Sequence, residues 1–290
     1  MENPLLTPEY AKSARQGRGR AIGAGFMYFG IYFGMQIIVI AVYAIVQTVI
    51  LFRNGSFSLP SLTEDISQSA IQNALPLTGV SNLLTLIVYR IIFAARRCQV
   101  SEETGLKRAG FPAILLMIPL GVCCYVFVAC VLSLLFSLLP GEIVKQYAEQ
   151  AETLVGATTP LAIICVVLIA PFTEEVVFRG LVYTRWQHGM GRILALFAAS
   201  LLFGIMHVQV IWAAYAFSLS LLLCAVFDWY GSLWAGVILH LSFNLCQYAL
   251  APFLESVPFL PLLLGSVLLG APLALFARRM GPRTRSCPLP

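Results

Sequence analysis

Residues 160–182 read PLAIICVVLIAPFTEEVVFRGLV. The run is long enough to cross a bilayer as a helix, which takes about 20 predominantly apolar residues. It nevertheless holds two adjacent carboxylates, Glu174 and Glu175, and Arg179 one turn later. Ionisable groups at membrane depth are costly and are usually functional where they occur. A large soluble core could also bury such a run, so composition has to decide. The chain is 59% hydrophobic and 11% charged, whereas a soluble domain carries roughly a quarter charged residues. No long polar block separates the apolar runs, so no soluble catalytic domain is expected.

Outward from that stretch, further apolar runs lie at 21–52, 75–94, 111–139, 193–208, 212–227, 233–253 and 259–276. Together with 160–182 they predict an all-α, polytopic transmembrane helical bundle of about eight spans. The break near Gln209 is placed because one helix over 193–227 would be more than ~50 Å long. The expected organisation is a leader (1–20), three helices (21–139), a connector with the spacing of an interfacial helix (140–159), a core of four helices (160–253), and a last helix with a basic tail (254–290). In the connector, Ile143, Val144, Tyr147, Ala148, Ala151 and Leu154 recur at helical spacing. The first apolar run is too long for a signal-peptide core and reads as a retained span.

The net charge of +5 sits in clusters: Lys12, Arg15, Arg18 and Arg20; Arg96, Arg97, Lys107 and Arg108; Arg185 and Arg192; Arg278, Arg279, Arg283 and Arg285. Eight spans with both termini cytoplasmic place every cluster inside, as the positive-inside rule requires. These clusters face lipid headgroups, so no nucleic-acid partner is expected. The eight cysteines form no CxxC pair, which argues against a zinc ribbon or a disulfide framework. Cys287-Pro-Leu-Pro is not read as a prenylation box, since Pro288 takes an aliphatic position and Pro290 the last one.

The polar residues within the apolar runs are few. Glu175 and Arg179 share a helix face and are expected to pair, which leaves Glu174 free to point elsewhere. Pro171 should kink the helix just before them. His207 lies four residues after Phe203, and Asn244 four after His240, so each pair shares a face. His188 falls in a loop and reads as solvated. If the helices flanking Gly189-Met190-Gly191 are antiparallel, Glu174 and His207 lie at one depth, roughly 25 Å from that turn. Such a set suits amide hydrolysis by activated water. A glutamate shielded from bulk water can serve as general base, an imidazole can orient the water, and a second imidazole with a carboxamide can donate to an oxyanion. No serine or cysteine stands where a nucleophile would be expected.

Glu174-Glu175-Val-Val-Phe-Arg179, Phe203-Gly-Ile-Met-His207 and His240-Leu-Ser-Phe-Asn244 resemble the three motifs EExxxR, FxxxH and HxxxN of the CPBP family. That family comprises the type II CAAX prenyl endopeptidases and their bacterial relatives. Gly231-Ser-Leu-Trp234 is similar to bacterial members. The resemblance covers about 160–250. It implies an intramembrane peptidase with Glu174 as base, His207 assisting the water, His240 and Asn244 as the oxyanion site, and Glu175, Arg179 and Phe203 in support. No cofactor is expected; the alternative is zinc on Glu174, His207 and His240. The implied partners are the lipid bilayer and a membrane-embedded or membrane-bound peptide substrate. The implied location is a cell membrane, bacterial rather than endoplasmic reticulum. An ion-coupled transporter would also use intramembrane Glu, Arg and His, and a non-catalytic immunity or scaffold protein would be another use of the bundle.

Overall fold

The computed structural model describes residues 8–54, 59–107, 110–155, 159–254 and 256–281. Arg108, Arg283, Arg285 and Cys287 lie outside them. Every regular element among the described residues is a helix, and the chain is an all-α polytopic bundle. We number the helices α1 (Pro8–Arg53), α2 (Leu59–Gln72), α3 (Ala74–Ala95), α4 (Val100–Thr104), α5 (Phe111–Phe136) and α6 (Gly141–Val155). A continuous helix α7 (Pro160–Met190) follows, then α8 (Arg192–Ile205), α9 (Val210–Tyr230), α10 (Leu233–Ala249), α11 (Ala251–Leu254) and α12 (Phe259–Met280). The connector expected at 140–159 contains a helix, α6.

Six of these helices, α1, α3, α5, α7, α9 and α12, have the length and apolarity of a span. The runs expected to span at 193–208 and 233–253 form helices of only 14 and 17 residues. The first ends where the chain turns at His207–Gln209, and Gln209 starts α9 by accepting the Trp212 N–H on its side-chain oxygen (2.8 Å). The described part of the stretch expected as a leader forms the first turns of α1, which is helical from Pro8. At 46 residues α1 is about 69 Å long, so it extends past the hydrocarbon. In α1 and α12 only 6% of the most apolar window is buried. Ile37, Ile45, Leu264 and Leu268 therefore face outward, which suits lipid and would be untenable in water.

Two clusters make the interior. One packs α1, α3, α7 and α8 around Tyr28, Tyr89, Phe178, Trp186 and Phe203. The other packs α5, α9, α10 and α12 around Met117, Leu223, Leu239 and Phe243. Gly121 lets α5 lie close on α10, because a Cβ there would fall 2.6 Å from the Leu239 carbonyl.

One end of the bundle is tied shut. Arg185 was expected among the lipid-facing basic residues, but it is buried. Its guanidinium pairs with the Glu103 carboxylate and donates to the Glu103 and Gly180 carbonyls. A carboxylate from α4 has neutralised it, which a charge count cannot foresee. The loop after α4 closes on α10: Leu233 N–H donates to the Gly105 carbonyl (3.0 Å) and Ser232 Oγ to the Lys107 carbonyl (2.5 Å). Asp228 accepts from Tyr183 (2.8 Å), Gln187 (2.9 Å) and Arg192 (2.7 Å), pinning α9 to the α7–α8 turn. That turn is Gly191 at φ 89, open to glycine at little cost. His188 is exposed, but on the last turn of α7 rather than in a loop.

Candidate active site

The site begins with an interruption in α7. Pro171 does not end this helix; wide π turns lie on either side of it, at Cys165–Ile169 and Glu175–Tyr183. In the first, the Ala170 N–H bonds the Cys165 carbonyl, five residues back. The next bond in that register would run from residue 171 to the Val166 carbonyl, and proline has no N–H. Asn244 Nδ2 donates to that carbonyl instead, at 3.0 Å. A donor from α10 thus replaces the missing main-chain donor, and the kink expected at Pro171 becomes a pair of helical bulges with a cross-helix bond.

This account predicts a coupling. Asn244→Ala should leave the Val166 carbonyl unpaired and lower Tm by about 5 °C, since an orphaned buried acceptor costs roughly 1–3 kcal/mol. In a Pro171→Ala background the new N–H should serve that carbonyl, and the same change should cost only about 1–2 °C. Equal losses in the two backgrounds would show that the bond is incidental.

The second π turn carries the charges. Arg179 Nη1 donates to Glu175 Oε1 at 2.9 Å, with both side chains fully buried. The guanidinium lies 4.6 Å from the Phe203 ring centroid, a cation–π contact. His240 Nδ1 stands 3.1 Å from the same Glu175 oxygen. A carboxylate only accepts, so Nδ1 carries the hydrogen. Nε2 then faces Glu174 Oε2 across 3.7 Å. Glu174, expected to be unpaired, therefore stands beside an imidazole rather than alone. One turn before His240, a Cβ at Gly236 would lie 2.8 Å from Glu175 Oε2; glycine leaves that carboxylate its room.

His207 follows the end of α8. Its Nδ1 lies 2.9 Å from the Phe203 carbonyl. Because a carbonyl accepts, Nδ1 is the donor and Nε2 keeps a lone pair. The chain then reverses sharply: Val208 has φ 59 and the Gln209 N–H closes on the His207 carbonyl at 2.6 Å. A β-branched residue at positive φ is strained, and strain of this kind gathers at functional sites.

Glu174, Phe203, His207, His240 and Asn244 line one cavity of about 210 Å³. Glu175 and Arg179 lie behind it. Sequence reasoning passed over the Val166 carbonyl, whose availability depends on hydrogen-bond register. It also passed over Gln247, another wall of the cavity, although its spacing from His240 and Asn244 is that of one helix face. The zinc alternative needs Glu174, His207 and His240 to converge on one point. No three His, Cys, Asp or Glu side chains converge as a metal site among the described residues. The Nδ1 atoms of His240 and His207 are held by Glu175 and by the Phe203 carbonyl, which leaves both Nε2 atoms outside those bonds.

Residues 156–246 match the family model described as type II CAAX prenyl endopeptidase Rce1-like. The Rce1-like segment is about a third of the chain, runs from just before α7 into α10, and contains every residue named above as lining the cavity except Gln247. It agrees with the resemblance carried by the three motifs. No curated protein and no solved structure matches the chain. A Rce1-like segment within a bundle of apolar helices supports an intramembrane endopeptidase in a multi-pass membrane protein.

Proposed function

We propose that the chain hydrolyses a peptide bond of a membrane-associated or lipidated substrate, using a water activated by Glu174. The observation that carries this reading is the meeting of Glu174 and His240 Nε2 at 3.7 Å on a cavity that His207 and Asn244 also line. Glu174 takes a proton from water, and the His207 Nε2 lone pair accepts the other hydrogen and orients the attack. The hydroxide adds to the scissile carbonyl. The remaining Asn244 N–H donates to the oxyanion, and so does His240 Nε2–H, with His240 entering the cycle as an imidazolium protonated from solvent and keeping that proton throughout. Glu174 returns its proton to the leaving amine as the C–N bond breaks, so water is divided between the two products. Glu175, backed by Arg179, holds the His240 Nδ1 hydrogen and balances the imidazolium charge.

The test is a proteomic comparison of membranes expressing the native chain and Glu174→Ala. A fragment that depends on Glu174 is expected; identical fragment sets would remove the protease reading. Purified protein is expected to hold substoichiometric zinc by direct metal analysis. Stoichiometric zinc that disappears with His207→Ala or His240→Ala would overturn the water-only mechanism.

A further inference from the structure

We infer that this cavity is entered from the non-cytoplasmic side of the membrane, and that its substrate is a peptide segment presented there: the juxtamembrane stretch of a membrane protein or a lipid-anchored peptide. The inference rests on the protease reading for its substrate, but not for its direction.

Direction follows from which helix ends line the cavity. Leu75 is the second residue of α3, Trp212 the third of α9, and Gln247 and Tyr248 lie in the last turn of α10. Most exposed basic residues occupy the other ends, with Arg53 closing α1 and Lys145 in α6 on the mouth side. Arg96 and Arg97 follow α3, Lys107 lies in the loop bonded to the start of α10, and Arg192 opens α8. Arg18 and Arg20 lie early in α1, and Arg278 and Arg279 end α12. Basic ends are cytoplasmic ends, so the cavity mouth faces away from the cytoplasm.

The closure of the basic end agrees. A peptide approaching from there meets the Glu103–Arg185 pair, the bonds of Gly105 and Lys107 to α10, and the three donors on Asp228. Gly180 is packed so closely on α4 that a Cβ would lie 2.6 Å from the Thr104 carbonyl. The length of α8 adds a recess on that same side. Fourteen residues from Arg192 reach about 21 Å, against a hydrocarbon core of about 30 Å. The irregular turn at His207–Gln209 therefore sits below the far surface, where such backbone requires a water-lined recess. Val208 is 89% exposed beside it.

The test labels single introduced thiols with a membrane-impermeant maleimide, in intact cells and in inverted vesicles, with the native chain as baseline. Gln247→Cys is expected to label in intact cells about tenfold above baseline, and Lys107→Cys only in inverted vesicles. Tyr248→Cys is a second mouth position should Gln247→Cys fail to accumulate. Mouth positions that label only in inverted vesicles would overturn the direction. New termini that depend on Glu174 are expected in non-cytoplasmic segments next to a span; termini in cytoplasmic tails would overturn the substrate class. A mouth that labels from outside with no Glu174-dependent termini would keep the direction and remove the protease reading together with its substrate.

Discussion

Glu174→Gln is expected to slow peptide cleavage by roughly 10²–10⁴-fold, the usual contribution of a positioned general base, without unfolding the protein. Glutamine keeps the shape and length of the side chain and loses only the capacity to take a proton from water. Glu174 lies on the cavity wall, outside the fully buried Glu175–Arg179 pair, so the exchange leaves no charge unpaired in the interior. His240 Nε2 would then face an amide, which can donate to it, and the packing has no reason to fail. Initial rates on whichever substrate depends on Glu174, with Tm of the purified protein alongside, check both halves. Unchanged rates would remove Glu174 as the base. A collapse of Tm with the rate would assign it to the fold instead.

Arg179→Ala should act in the opposite way and remove the protein before it removes the chemistry. The change leaves the Glu175 carboxylate at zero exposure with its main partner gone. Breaking one side of a buried pair costs roughly 3–5 kcal/mol, which for a chain of this size lowers Tm by about 10 °C, and membrane accumulation should fall with it. The double change Glu175→Leu with Arg179→Met replaces both charges by apolar groups of similar bulk and should recover most of that stability. It should not recover cleavage, because His240 Nδ1 then has no acceptor and Nε2 no longer keeps its orientation toward Glu174. A stable double variant with normal rates would show that Glu175 and Arg179 serve packing alone.

How legible the molecule was depends on the kind of information each feature rests on. Helices and membrane setting follow from apolar runs, which survive in one dimension. The pairing of Glu175 with Arg179 follows from a local repeat and is present at 2.9 Å. Equal distances from Gly189–Gly191 placed Glu174 and His207 at one depth, and both line one cavity. What stayed hidden depends on main-chain register or on distant neighbours. Nothing in the spacing of Val166, Pro171 and Asn244 says that α7 widens into π turns or that a carbonyl there is free. Arg185 looked like a membrane-surface charge because Glu103, 82 positions away, is not adjacent in any pattern. The break near Gln209 was legible from helix length and stands between α8 and α9, but hydropathy does not register that α8 already stops at Ile205.

The shortness of α8 has a consequence beyond access to the site. A helix of about 21 Å beside neighbours that cross fully leaves about 9 Å of bilayer unmatched on one side of the protein. Hydrophobic mismatch costs fractions of a kcal/mol per Å, so a deficit of this size makes bilayer thickness an energetic variable for the region around His207. Thin bilayers relieve it, while thick, ordered ones press acyl chains over the recess or force α8 and its strained turn to shift. Lipid chain length thereby becomes a control on the hydration of the cavity, and the chain should be sorted toward the thinner parts of its membrane.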